Sequence, residues 1–155
     1  MSSPIFYLML SKSCIYALRS IVFLAHNASI DAKIGIKDIA KELDLPTPYL
    51  GKILQKLSKF NIIQSIKGPH GGFYLNEESQ KVKIIKIIEV MDGLEFFTSC
   101  GLGLKQCSDD HPCPLHNDFK IYRDGLWELF NEKSVLDLVS KIEAGNAFIR
   151  NLYSE

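Results

Sequence analysis

Thr47-Pro-Tyr-Leu-Gly-Lys-Ile-Leu-Gln-Lys-Leu-Ser-Lys-Phe-Asn-Ile-Ile-Gln-Ser-Ile-Lys-Gly-Pro-His-Gly-Gly-Phe-Tyr-Leu75 is the stretch that decides the fold. Thr47 is a suitable N-cap and Pro48 suits the first helical position, where its missing N–H costs nothing. Leu50, Ile53, Leu54 and Leu57 recur at helical spacing and predict a core-facing stripe. Tyr49, Lys52, Lys56 and Lys59 fall on another side. Four lysines and no Asp or Glu lie between Thr47 and His70. An apolar face backed by an unneutralised basic one suits a partner that carries phosphates. Read alone, the same helix is also an ordinary surface helix with solvated lysines. The residues after it weigh against that. Ile62 to Ile66 and Phe73 to Leu75 read as two short strands, joined by the Gly- and Pro-rich turn Lys67 to Gly72.

The segment before it adds a partner helix. Ile36 to Leu43 is short and periodic, with Ile39, Ala40 and Leu43 inward, and Asp44-Leu45-Pro46 turns the chain into the Thr47 helix. Two short helices across a tight turn, then strand, turn and strand, is the order of a winged helix-turn-helix, whose second helix enters the major groove. The glycine usual in such a turn is absent, and Asp44 stands nearby.

The fold class expected is mainly α with a small β wing: a winged helix-turn-helix domain plus a long dimerisation helix. Met1 to Leu8 reads as an unstructured extension, and 9–82 as the DNA-binding domain. Residues 83–114 read as a connecting helix and cysteine loop, and 115–155 as the dimerisation helix and a last helix. Ser13 to Ala28 is the first helix, with His26 a surface residue near its end. Asn76 to Gln80 reads as a polar link, and Lys83 to Met91 as a helix that Asp92-Gly93 stops. In Leu115 to Asn131, Phe119, Tyr122, Leu126, Leu129 and Phe130 form one stripe, with Ile121 and Trp127 outside it. A helix apolar on more than one side needs more cover than a small chain supplies, which points to a homodimer. Ser134 caps the last helix. The tail from Gly145 has no clear reading.

Lys+Arg 18 against Asp+Glu 18 leaves no global field to draw in nucleic acid, so DNA binding must rest on the local basic segment. A hydrophobic fraction of 46% argues against disorder. No stretch is long and apolar enough to span a membrane, and Pro4 to Leu10 lacks a basic flank and a cleavage site, so the expectation is a cytoplasmic protein.

Gly93 to Pro114 has no period and carries three of the four cysteines. Cys100, Cys107 and Cys113 are separated by six and then five residues, with His116 after two more. Thiolates and imidazoles are natural ligands of iron–sulfur clusters and zinc, but these gaps are wider than the paired spacing of zinc ribbons. Inert or redox-only thiols are the alternative. Cys14, on the first helix, reads as a small buried hydrophobe. A cysteine-nucleophile enzyme with His111 or His116 as base is a weaker reading, because no oxyanion-hole motif accompanies the thiols.

These pieces together resemble the IscR/NsrR-like family of bacterial transcription regulators, the Rrf family, from Met9 to about Val139. The matching stretches are Met9 to Arg19, Ile36 to Lys41, Pro48-Tyr49-Leu50 with Leu54 and Leu57, the wing Lys67 to Leu75, and Ile84 to Gly93. The resemblance implies a homodimeric winged-helix regulator of double-stranded DNA. It implies an iron–sulfur cluster on Cys100, Cys107 and Cys113, 2Fe–2S ahead of 4Fe–4S, easily lost in air. His116 matches the histidine ligand of the biogenesis regulators, while Ile15 stands where the nitric-oxide-sensing branch has an aspartate ligand. Thr47, Tyr49, Gly51, Lys52 and Lys56 on the helix, with Lys67, His70 and Gly71 on the wing, are the DNA contacts expected. Gly51-Lys52 replaces the family's Glu-Gln base-reading pair, so the familiar operator preference does not carry over. Control by thiol oxidation, a small ligand or a partner protein, with no cluster, is the other reading.

Overall fold

The computed structural model describes residues 9–150; the expected extension at 1–8 lies outside the described residues. Seven helices and one two-stranded sheet succeed one another along the described residues. Helix α1 (Lys12–Asn27) begins where the Ser11 side chain accepts from the backbone N–H of Cys14. Cys14, Ala17, Ile21, Val22, Phe23 and Leu24 are buried, so α1 is the central rod of the core. Each such large apolar side chain contributes about 1.5–3 kcal/mol by burial.

Helix α2 (Ile36–Leu43) ends on Asp44, which adopts the left-handed conformation, φ 53 and ψ 56. The missing glycine is thus replaced by one of the few other residues that tolerate this region. Helix α3 (Thr47–Lys59) comes next, with Leu50, Ile53, Leu54 and Leu57 all buried. Its N-cap is Pro46, one residue earlier than expected, and no side chain caps it. Thr47 is therefore the first helical residue instead of the cap.

Strand β1 (Gln64–Ile66) pairs antiparallel with β2 (Gly72–Tyr74), Ser65 opposite Phe73. An added bridge from Ile34 to Phe73 ties the wing to the segment before α2. The polar link is in fact a one-turn helix, α4 (Glu77–Gln80), because the Asn76 side chain accepts from Ser79 N–H and caps it.

Helix α5 (Ile84–Asp92) buries Ile84, Ile87 and Ile88. The loop after it is less formless than its sequence reads: Glu95–Phe97 makes a 3-10 turn. Helix α6 (His116–Glu132) runs for 17 residues, none of them buried as a whole. Helix α7 (Val135–Glu143) opens on a reciprocal capping box of Ser134 and Asp137. The Asp137 carboxyl is lowered chiefly by the Ser134 backbone N–H, then by its hydroxyl. α1 packs against α3, α5 and α7. Val135 and Val139 join Cys14, Ile21 and Leu57 in one continuous core.

The last described residue packs back on α1 and α2. Arg150 reaches Glu42 at 2.7 Å and lies over the Phe23 ring, 5.4 Å from its centre.

Candidate functional site

Two regions carry chemistry. The first is the α3–wing face. Lys52 and Lys56 are exposed on α3, one turn apart, and Lys59 continues the row. Lys67 and His70 are exposed at the wing tip. Gly71 is in the turn, where its N–H donates to Gly68 O at 2.9 Å. A Cβ at Gly71 would sit 2.1 Å from Ile66 O, so no side chain fits there. Between α3 and the wing runs a groove of about 510 Å³, lined by Gly35, Gly51, Gln55, Ser58, Lys67 and Gly71 among others.

The other expected contacts sit differently. Gly51 faces α2, where an added Cβ would meet Ile36 Cδ1 at 3.3 Å. Thr47 is half-buried. Tyr49 is 39% exposed, yet its ring stands edge-on to Tyr16 at 5.7 Å and its hydroxyl hydrogen-bonds with Ser13. Tyr49 thus ties α3 to α1, and its polar atom already has a partner within the chain.

The second region is the cysteine loop. The sulfurs of Cys100, Cys107 and Cys113 all lie within 4.8 Å of one another, and Cys100 Sγ is 3.6 Å from Cys113 Sγ. His116, the first residue of α6, joins through Cys107: its Nδ1 is 3.0 Å from Cys107 Sγ. The backbone holds the sulfurs in turn, with Leu102 N–H donating to Cys100 and Cys113 N–H to Cys107, at 3.3 and 3.4 Å. The fourth cysteine, Cys14, is buried in α1, away from solvent. His111 is exposed and lines a neighbouring pocket with Cys107 and Cys113.

The three thiols are not equivalent. Hydrogen bonds from the Leu104 and Leu102 backbone, with help from the other thiols, hold Cys100 down at about 7 despite desolvation. The Cys113 backbone lowers Cys107, but desolvation and the sulfurs of Cys113 and Cys100 outweigh it, so Cys107 lies above its ordinary value. A protonated Cys107 can donate S–H to His116 Nδ1. Burial, aided by Asp92, pushes Cys14 up to about 12. That keeps Cys14 a neutral, inert thiol.

Three residues not singled out from sequence complete the region. Asp109 Oδ1 is 2.9 Å from His116 Nε2, and Lys120 Nζ lies 2.7 and 2.8 Å from the two Asp109 oxygens. Lys120 first, then His116, holds the Asp109 carboxyl down at about 2. Arg123 donates to Ser99 O at 2.7 Å. Lys120 was findable, since four residues on from His116 is the same helix face; Asp109, in an aperiodic loop, left no signal.

Cys100, Cys107, Asp109, His116, Lys120 and Arg123 line a cleft of about 240 Å³. Arg123 Nε is buried at that wall with no hydrogen-bond partner. Soft sulfur donors, one imidazole and two cations beside them fit an anionic thiolate-bound centre, either an iron–sulfur cluster or a single soft metal ion.

Comparison with known proteins bears on the family and the fold. The Rrf2 family, described as "Iron-dependent Transcriptional regulator", matches residues 10–141. A protein of Aquifex aeolicus assigned as an HTH-type transcriptional regulator is 33% identical over 127 residues, spanning 81% of this chain and 87% of that protein. Among solved structures, CymR, the global cysteine regulator of B. subtilis, superposes with TM-score 0.68 at 23% identity, covering 86% of this chain and 97% of its own. IscR of T. potens gives TM-score 0.68 at 21% identity, covering 93% and 95%. These last two show the fold, which is that of winged-helix regulators. No described helix is long and apolar enough to cross a membrane. With a match that runs from the start of α1 into α7, the chain belongs to the Rrf2 family, whose members are transcriptional regulators and not enzymes.

Proposed function

We propose that two copies of this chain bind one duplex in the cytoplasm and that the cysteine loop sets how well they fit it. Lys52 and Lys56 enter or flank the major groove, with Thr47, Tyr49 and Gly51 at its edge, and Lys67, His70 and Gly71 meet the neighbouring backbone or minor groove. The groove between α3 and the wing lies beside these basic residues, with Gln55, Ser58 and Lys67 lining it along with the apolar Ile36, Ile66 and Phe73. The pairing rests on α6, where Ile121 is 70%, Tyr122 75% and Leu129 47% exposed along one face. Gly125 lies in the middle of that face with open space around its Cα, which lets two helices approach closely.

The observation that carries the sensing half is the convergence of three thiols and His116 against α6. A cluster held by Cys100, Cys107, Cys113 and His116, 2Fe–2S favoured, would supply reversible electron transfer and lability to oxidants. The chain's own part is the linkage of loop to helix. Arg123 holds Ser99, the Phe119 ring backs Gly101, and Lys120 holds Asp109. Order in the loop is therefore coupled to one side of α6, while the opposite side carries the pairing face.

Protein purified without oxygen should contain iron and sulfide and bind a promoter duplex. Lys52→Ala should weaken binding and lower the log–log salt slope by about 0.9 per lost phosphate contact. An unchanged slope removes Lys52 from the interface. A second reading is favoured by the 3.6 Å approach of Cys100 to Cys113 and the lowered Cys100 thiol: control by a disulfide between them. Colourless anaerobic protein, with DNA affinity that responds to oxidant, would select it.

A further inference from the structure

The far side of His116 holds a group that touches no sulfur. Its Nε2 is 2.9 Å from Asp109 Oδ1, while its Nδ1 faces Cys107 at 3.0 Å. Lys120, one helical turn along α6, grips both oxygens of the same carboxylate at 2.7 and 2.8 Å. The imidazole is 9% exposed and the carboxylate 70%. An exposed Asp–Lys pair adds little to stability, so its placement on the remote nitrogen of a candidate ligand calls for another account. An ionised carboxylate only accepts hydrogen bonds, so the proton of the neutral ring must sit on Nε2. The lone pair is then on Nδ1, the atom turned toward the sulfurs.

We propose that Asp109, clamped by Lys120, is the positioning residue of this centre: it fixes the tautomer and rotation of His116 so that Nδ1 is the atom offered to the metal. This rests on the cysteine loop being a metal or cluster site. Ligating histidines commonly donate their other ring N–H to a carboxylate, and loss of that partner costs about 10–100-fold in metal affinity. Asp109 comes from the loop and Lys120 from α6, so the arrangement also fastens the loop to the helix at the ligand itself.

Anaerobic titration with Co(II) alone tests this on the full chain. Asp109→Ala should bind Co(II) about 10–100-fold more weakly than wild type. Lys120→Met should bind it less weakly than Asp109→Ala does, and Asp109→Asn should recover part of the loss because its amide oxygen still accepts. Asp110→Ala, at the adjacent exposed residue, should match wild type. A second readout needs no variant. In reconstituted, reduced protein grown with histidine carrying heavy nitrogen at Nδ1 only, pulsed EPR should show the strong nitrogen coupling from the labelled atom. Wild-type affinity in Asp109→Ala, or strong coupling from the unlabelled Nε2, overturns the assignment. Wild-type protein that ignores Co(II), or Cys107→Ser protein that binds it normally, overturns the metal-site reading beneath it as well.

Discussion

At the scale of single residues, backbone geometry and burial decide more than residue type. Gly71→Ala would push a methyl group into the Ile66 carbonyl. It should cost about 1–3 kcal/mol of stability, read as a lower denaturant midpoint, and should weaken DNA binding further by displacing Lys67 and His70. An unchanged midpoint would mean that the turn can open to take the methyl group. Cysteine chemistry divides the same way. In metal-free folded protein, Cys100 should react first with a thiol reagent, Cys107 more slowly because its thiol is raised, and Cys14 only on unfolding, because Cys14 is buried and held neutral up to about 12. Four fast thiols would contradict the buried position. The Asp109 clamp has a pH limit with a definite sign. Its folded value of about 2 lies below the ordinary 3.8, so its contribution is fully present above 3.8 and is lost as pH falls through about 2. The wing turn was legible in sequence because Gly68-Pro69 and Gly71-Gly72 announce it. The left-handed Asp44 was not, because Asp is equally at home in caps and turns.

At the scale of elements, α6 shows both the reach and the limit of periodicity. The expected stripe grouped Phe119, Tyr122, Leu126, Leu129 and Phe130, with Trp127 apart. The structure divides them. Phe97 of the 3-10 turn stacks edge-on with Trp127 at 5.4 Å and Phe130 at 6.3 Å, and Phe96 meets Phe119 at 6.4 Å. Tyr122, Leu129 and Ile121 are left facing outward. A wheel can count apolar positions but cannot say which ones meet a turn far upstream in the chain. That outward face carries the next prediction. Ile121→Glu with Tyr122→Glu should shift sedimentation toward a single chain and leave the helical circular dichroism close to wild type. A variant pair that sediments like wild type would move the pairing surface elsewhere. α3 was more legible, since its four buried leucine and isoleucine positions and its lysine row both obey a single period. Its start was misplaced by one residue, because a Pro-Thr-Pro run offers no hydrogen-bonded cap to mark the boundary.

At the scale of the whole molecule, zero formal charge hides a strong segregation. From Thr47 to His70, α3 and the wing carry Lys52, Lys56, Lys59 and Lys67 with no acid, whereas on α6 Asp118, Asp124, Glu128 and Glu132 outnumber Lys120 and Arg123. Association with DNA should therefore be oriented and strongly salt-dependent, as binding through several phosphate contacts is. Measured across a salt series, the slope should match a few contacts per chain doubled by pairing; a flat series would leave the basic face without a role. The fold class was legible because helix, turn, helix, strand, turn and strand each have a local signature. The cation-and-carboxylate setting of His116 was not, because Asp109 and Lys120 are eleven positions apart and look like solvated charges until the chain is folded.

Val135 and Val139 of the last helix sit in the same interior as Cys14 and Ile21 of the first. A protein assembled in this way has no seam between its first helix and α7. Cutting the chain after the wing would not yield a smaller reader; it would strip cover from the central rod. On the proposed reading, a signal from the thiols would reach this interior through α6, whose Leu126 and Phe130 pack against it, and would need no hinge.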